Sequence, residues 1–200
     1  MINIYKRCKN KYKFSHHIDN NEFASITVFL GKNSSINDIA VRPHHYEVYI
    51  KIGDNSTIRD LELLYSPQNS KYYIKIGSNC TFGNFVKLTG NISVSDHVSV
   101  GNNTYIYQNV KIHPHVKVDS TVTLSENVVL RNNAYVKFGS IIQKNSIIRP
   151  YDVVVNSTST KSTYYYDEYI KDFRFIGEKN RNLIRKYHDL RAKQKQMESS

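Results

Sequence analysis

The sequence predicts an all-β fold, a parallel β-helix, and two observations carry that prediction. The first is a ruler laid on Ile76 and stepped by six. It meets Ile76, Phe82, Leu88, Val94, Val100, Ile106, Ile112, Val118, Leu124, Leu130, Val136, Ile142, Ile148 and Val154, all apolar. A helix repeats at about 3.6 residues and a lone strand at about 2.0, whereas a sustained period of six belongs to a coil whose flat sides are one hexad long. The second is a phrase, apolar-Gly-polar-Asn-small-x-apolar. It recurs at Leu30–Ile36, Ile52–Ile58, Ile76–Phe82 and Val100–Ile106, so its starts lie 22, 24 and 24 residues apart.

Three hexads per coil give a triangular helix with an 18-residue period in the later run. The early coils carry four to six residues more. Those extra residues must lengthen a side or bulge outward, at Arg42–Tyr49 (with Pro43, His44 and His45) and at Tyr65–Tyr73, where Ser66-Pro67-Gln68-Asn69 is a turn signal. With the ruler position as i, position i+4 holds small or β-branched residues from Cys80, Val86 and Ile92 through Val98, Thr104 and Val122 to Ser140 and Ser146. These suit the tight inside of a corner, so Cys80 reads as a buried small hydrophobe. Position i+3 holds Asn79, Asn91, Asn103, Asn109, Asn127, Asn133 and Asn145, with Gly139. Those residue types tolerate the positive φ that a tight corner needs.

The repeat bounds the domains: a basic N-terminal segment over 1–25, the hexapeptide-repeat β-helix over 26–157, and a C-terminal helical extension over 158–200. The N-terminal segment brings Lys6, Arg7, Lys9, Lys11 and Lys13 before its first acid, Asp19. Such an opening serves as a solvated leader or as a contact for phosphate or lipid headgroups. In the extension, a basic helix from about Lys179 to Gln196 bears Leu183, Ile184, Tyr187 and Leu190 as its apolar stripe, a cover for the open end or flank of the column.

Composition narrows the function. The net charge of +11 and pI near 9.5 fit an anionic partner: a nucleotide cofactor, an acidic glycan, nucleic acid or a lipid surface. No nucleic-acid-binding module is recognisable, so nucleic acid is not expected. Cys8 and Cys80 give neither a disulfide framework nor metal spacing, and no metal is expected. No apolar run approaches a membrane span and the first ten residues lack the apolar stretch of a secretory leader, so the expected location is cytoplasmic. A phosphate-binding glycine loop and a serine elbow are both missing.

Chemistry on such a column must come from outward side chains, and His is the base suited to neutral pH. His97 and His115 are both i+3 residues, 18 apart, and should stack at one corner between Asn79 and Asn133. His113 shares a hexad with His115. Asp96 is the candidate partner that orients His97. His44 and His45 lie in an excursion, whereas His16, His17 and His188 read as surface residues.

With these hexads in place, residues 26–157 resemble the left-handed β-helix of bacterial hexapeptide-repeat acyltransferases. The Ile-Gly-x-Asn phrase and the longer early coils are most similar to O-acetyltransferases of capsule and lipopolysaccharide synthesis. The resemblance implies a homotrimer, acetyl-CoA as co-substrate in the groove between neighbouring columns, and a His that deprotonates a hydroxyl or amine of a glycan or nucleotide sugar. His97 and His115 are the candidate bases. In that family the catalytic His usually stands on a loop that interrupts the hexads. Here Leu88-Thr89-Gly90-Asn91-Ile92 runs on without one, which keeps open a second reading: a non-catalytic β-helix acting as scaffold or partner subunit.

Overall fold

The computed structural model describes residues 3–8, 11–18, 22–41, 46–64 and 70–158, and the side chains of 25–41, 47–64 and 70–156. The fold is the expected all-β left-handed parallel β-helix, of about 6 turns, with no helix among the described residues. Two long sheets and the bend of one of them make three flat faces.

The first face stacks Glu22–Leu30, Tyr46–Ile52, Lys71–Ile76, Ile92–Val94, Val110–Ile112, Val129–Leu130 and Ile147–Ile148. The second runs from Ser35–Val41 and Thr57–Leu64 through Thr81–Phe82, Ser99–Val100, Lys117–Val118 and Tyr135–Val136 to Val153–Val154. The third carries Val86–Thr89, Tyr105–Ile106, Thr123–Leu124, Ile141–Ile142 and Ser157–Thr158. Thr57–Leu64 belongs to two faces at once: Thr57 pairs with Thr81 and Leu61 with Val86.

The 18-residue period is the observed register, with Ile74 beside Ile92 and Ile92 beside Val110. Each ruler residue from Ile76 to Val154 is buried, and so is each i+4 residue from Cys80 to Ser140, in a column whose apolar core runs from Ile26 to Val154; at the last coil the i+4 residues Ser146 and Asp152 are half-buried. The surplus of the early coils goes in part into longer sides. Their sides are long, 9 residues in Glu22–Leu30 against 2 in Val129–Leu130. The outward bulges expected around residues 42–45 and 65–69, and with them His44 and His45, lie outside the described residues.

Residues 1–25 differ from a plain leader. Asn3–Cys8 and Lys11–Ile18 are strands, paired antiparallel to each other, and the second also pairs with Glu22–Leu30 at the start of the first face. A hairpin therefore adds to the edge strand of the first coil, where an open row of N–H and C=O groups would otherwise stand. The helical extension expected over 158–200 lies outside the described residues beyond Thr158, as do His188 and the side chains of His16 and His17.

The corners follow the hexad chemistry. Positive φ occurs at Asn33, Asn55, Asn79, Asn103, Asn109, Asn127, Asn133 and Asn145, and at His97 and His115. Asn91 departs from expectation: Gly90 takes the positive φ, at 72°, and the Asn91 side-chain carbonyl instead accepts the Tyr73 N–H at 2.8 Å. A glycine one residue early moved the corner by one position. Asn side chains also ladder from coil to coil, Asn109 donating to Asn127 at 3.2 Å and Asn127 to Asn145 at 2.9 Å.

Candidate functional site

The corner between the first and second faces gathers most of the candidate residues. Here Val94, Ile112 and Leu130 end one face inside the core, and the chain turns through three exposed or half-exposed positions before Val98, Val116 and Ala134 return to it. Each turn hangs on its neighbours by backbone. The N–H of His97 donates to Ser78 O at 2.9 Å, that of His115 to Asp96 O at 3.3 Å and that of Asn133 to Pro114 O at 3.1 Å.

This stacking fixes the imidazoles. His97 and His115 face each other with ring centroids 4.8 Å apart and planes within 7°, between Asn79 and Asn133 as their spacing requires. The separation matches the distance between adjacent strands, so the rings lie one per coil. Both are exposed to solvent, and His113 is half-buried one step back along the same corner.

Asp96 has an engaged carboxylate. Its Oδ1 accepts the Ser78 N–H at 2.7 Å, one rung of a ladder in which Asp54 caps Lys32 at 2.7 Å and Ser78 caps Asp54 at 3.0 Å. Pro114 stands at the next rung and offers no such acceptor. The cap also explains Gly77, since a Cβ there would come within 2.3 Å of Asp96 Oδ1 and 2.6 Å of the Ser95 carbonyl carbon. Asp96 thus ties Ser78 below through its side chain and His115 above through its carbonyl. Among the described residues its carboxylate contacts neither imidazole.

Below the stack, Cys80 is sealed in the core, its thiol donating to Ser95 O at 3.2 Å, and burial pushes that thiol above its ordinary value. It is an inert filler in line with Ser56, as its i+4 position predicted. On the third face, Lys87 donates to the Tyr105 hydroxyl at 2.6 Å and pairs with Glu62 at 3.5 Å. The hydrogen bond to Tyr105, with Glu62 beside it, holds its ammonium above the ordinary lysine range. On the second face, Asp119 is gripped by the Tyr135 hydroxyl at 2.5 Å and by Lys117 at 3.3 Å. These two clusters fasten neighbouring coils together.

The register also aligns His113 with two residues that the sequence did not single out, Arg131 and Arg149. His113, Arg131 and Arg149 share one row of this corner, linked by His113 N–H to Leu130 O at 2.9 Å and Arg131 N–H to Ile148 O at 3.0 Å. Their 18-residue spacing was the available signal. Among the described residues no group of three His, Cys, Asp or Glu side chains could hold a metal ion, and no helix is long and apolar enough to cross a membrane.

No family model matches the chain, and no curated protein matches it by sequence. Among solved structures it is similar to the UDP-N-acetylglucosamine acyltransferase of Francisella novicida (16% identity, 66% of this chain and 58% of that one, TM-score 0.36). It is also similar to the UDP-N-acetylglucosamine acyltransferase of Campylobacter jejuni (13%, 80% and 79%, 0.44). A third is a variant of AntD, an N-acyltransferase from Bacillus cereus in complex with dTDP and coenzyme A (13%, 70% and 88%, 0.32). The chain thus spans less than two thirds of the first of these proteins. At these TM-scores the superpositions are too loose to carry any residue of those proteins onto this one.

Proposed function

We propose that the chain is an acetyl-CoA-dependent O- or N-acetyltransferase acting on a glycan or nucleotide sugar. The observation that carries this reading is the exposed, parallel stack of His97 on His115 at one corner of a hexapeptide β-helix. One imidazole of the pair accepts the proton of the acceptor's hydroxyl or amine. The freed oxygen or nitrogen attacks the thioester carbonyl, and collapse of the tetrahedral intermediate breaks the C–S bond. The imidazolium then returns its proton to the CoA thiolate. Asp96 is a positioning residue that fixes the corner from which the pair projects. Because one column presents this corner as a ridge, the reading includes a homotrimer in which a neighbouring column closes the groove around acetyl-CoA. It also includes a cytoplasmic location, with the basic N-terminal strands as a peripheral membrane contact.

A second reading is favoured by a different observation. The ladder runs from Lys71 to Thr158 with no projecting loop, as a scaffold or partner subunit would require. Calorimetry with acetyl-CoA and with CoA separates the two. Binding is expected for the enzyme, and no heat at millimolar ligand would leave the scaffold. If CoA binds, His97→Ala and His115→Ala are assayed separately for turnover. At least one should lose roughly 100-fold or more; full rates in both would move the base elsewhere.

A further inference from the structure

We propose that the corner between the first and second faces binds a linear acidic oligosaccharide laid along the column axis, its acid groups on a row of cations and one sugar beside His97. Only one further step, that the sugar beside His97 is the acetyl acceptor, rests on the function proposed above.

The argument comes from register. Just before the corner, the outward residues of successive coils are Lys51, Lys75, Ser93 and Lys111, paired strand to strand, and then Val129 and Ile147. Just after it they are Gly53, Gly77, Ser95, His113, Arg131 and Arg149, tied by the same coil-to-coil hydrogen bonds. Merged, the two rows give a cation on nearly every coil: Lys51, Lys75, Lys111, Arg131 and Arg149. Five coil steps of roughly 4.8 Å make a strip about 24 Å long. Neither row contains an acid.

The acids nearest the strip are engaged. Glu47 pairs with Lys71 at 3.4 Å, Asp54 and Asp96 cap backbone N–H groups, and Asp152 pairs with Arg149 at 3.4 Å, which tempers that end. Lys51, Lys75, Lys111 and Arg131 are exposed. The one coil without a cation carries Ser93 and Ser95, and it is the coil of His97. A polymer held by charge on either side would therefore cross a hydroxyl-lined step beside the imidazole stack, where the Asp96 carboxylate is turned back onto the Ser78 N–H.

The spacing selects the ligand. A positive group on five of the six coils suits a chain with one acid per pyranose unit, such as a polyuronate. Single-stranded nucleic acid is less well served, because binding it calls for open aromatic faces. The aromatic pair beside the strip, Tyr49 and Tyr73, is stacked on itself at 5.3 Å, and Lys71 lies 4.8 Å over the Tyr49 ring.

The test uses the full chain without acyl donor and a fluorescent oligogalacturonate long enough to span the strip. Comparators are a neutral malto-oligosaccharide of equal length and a single-stranded oligonucleotide of equal charge. Binding of the uronate should weaken steeply with salt, because each contact releases counterions. Lys111→Glu with Arg131→Glu should weaken it by about tenfold or more, and Lys144→Glu, on another corner, should leave it unchanged. If the charge reversals alter the far-UV spectrum, Lys111→Ala and Arg131→Ala replace them, with losses of about threefold each. Unchanged affinity in the strip variants, equal binding of the neutral chain, or tighter binding of the oligonucleotide would each overturn the proposal. Failure of CoA to bind would instead remove the acetyl-transfer reading and leave this strip intact.

Discussion

Thr121 shows how strongly the column imposes its geometry on single residues. Its φ is 62°, in the left-handed region, although a β-branched side chain crowds the backbone there. The equivalent positions in the coils on either side are Asn103 and Gly139, both residue types at ease with that backbone. Thr121 stays because its N–H reaches Asn102 O at 2.8 Å and Val122 beside it fills the core. Thr121→Asn should therefore stabilise the chain by about 0.5–1 kcal/mol, read as a higher denaturant midpoint with unchanged slope. A lower midpoint would mean that Thr121 makes a compensating contact. The i+3 positions were legible because Asn and His declare a corner, whereas Phe85, Thr121 and Tyr151, also at positive φ, do not. Their conformation is dictated by the coils around them.

At the scale of an element, the corner works as a ladder of caps, and Asp96 is its topmost rung. Asp96→Ala removes the acceptor of the Ser78 N–H and should cost about 0.5–1.5 kcal/mol. Asp96→Asn keeps a side-chain oxygen and should restore most of it. If Asp96 positions the imidazole pair, the Ala variant also lowers kcat more than it raises KM and shifts the pH profile, with Asn rescuing both. A stability loss with an untouched pH profile would reduce Asp96 to a structural cap. The stack itself was legible in the sequence, since 18-residue spacing on a three-sided coil leaves His115 nowhere to go but over His97. The cap was not, because nothing in Ser95-Asp96-His97 says that the carboxylate bonds backward to the previous coil. The N-terminal strands went unread for another reason. Their basic charge masked a period-2 alternation, Lys11-Tyr12-Lys13-Phe14, that marks a strand.

For the whole molecule, the consequence of three flat faces is that much apolar surface stays outside the column. Phe85, Phe138 and Ile147 are 60%, 68% and 59% exposed. Ile147 stands two residues from Arg149, on the first face. A second copy is one cover for such residues, and the proposed groove requires one. Sedimentation equilibrium should return three times the 23.3 kDa chain mass, with Ile147→Asp shifting the population toward monomer. A monomeric wild type would remove any site shared between subunits. How the copies meet was not legible from the repeat, because the hexad pattern specifies what points inward and leaves the outward residues to the partner.

The coil-to-coil register at the His corner has one more consequence, for how such a chain can change through descent. In the later run each coil pairs with the coil before and the coil after at a spacing of 18 residues. The natural unit of insertion or deletion is thus one whole coil, which the lattice can gain or lose without a frameshift in its hydrogen bonds. Excising residues 110–127 would seat Asn133 directly over His97 and erase the imidazole pair, while the interior stayed filled. Architecture and chemistry are inherited separately here: the column tolerates the loss of a coil, and the stack exists only because two particular coils are neighbours.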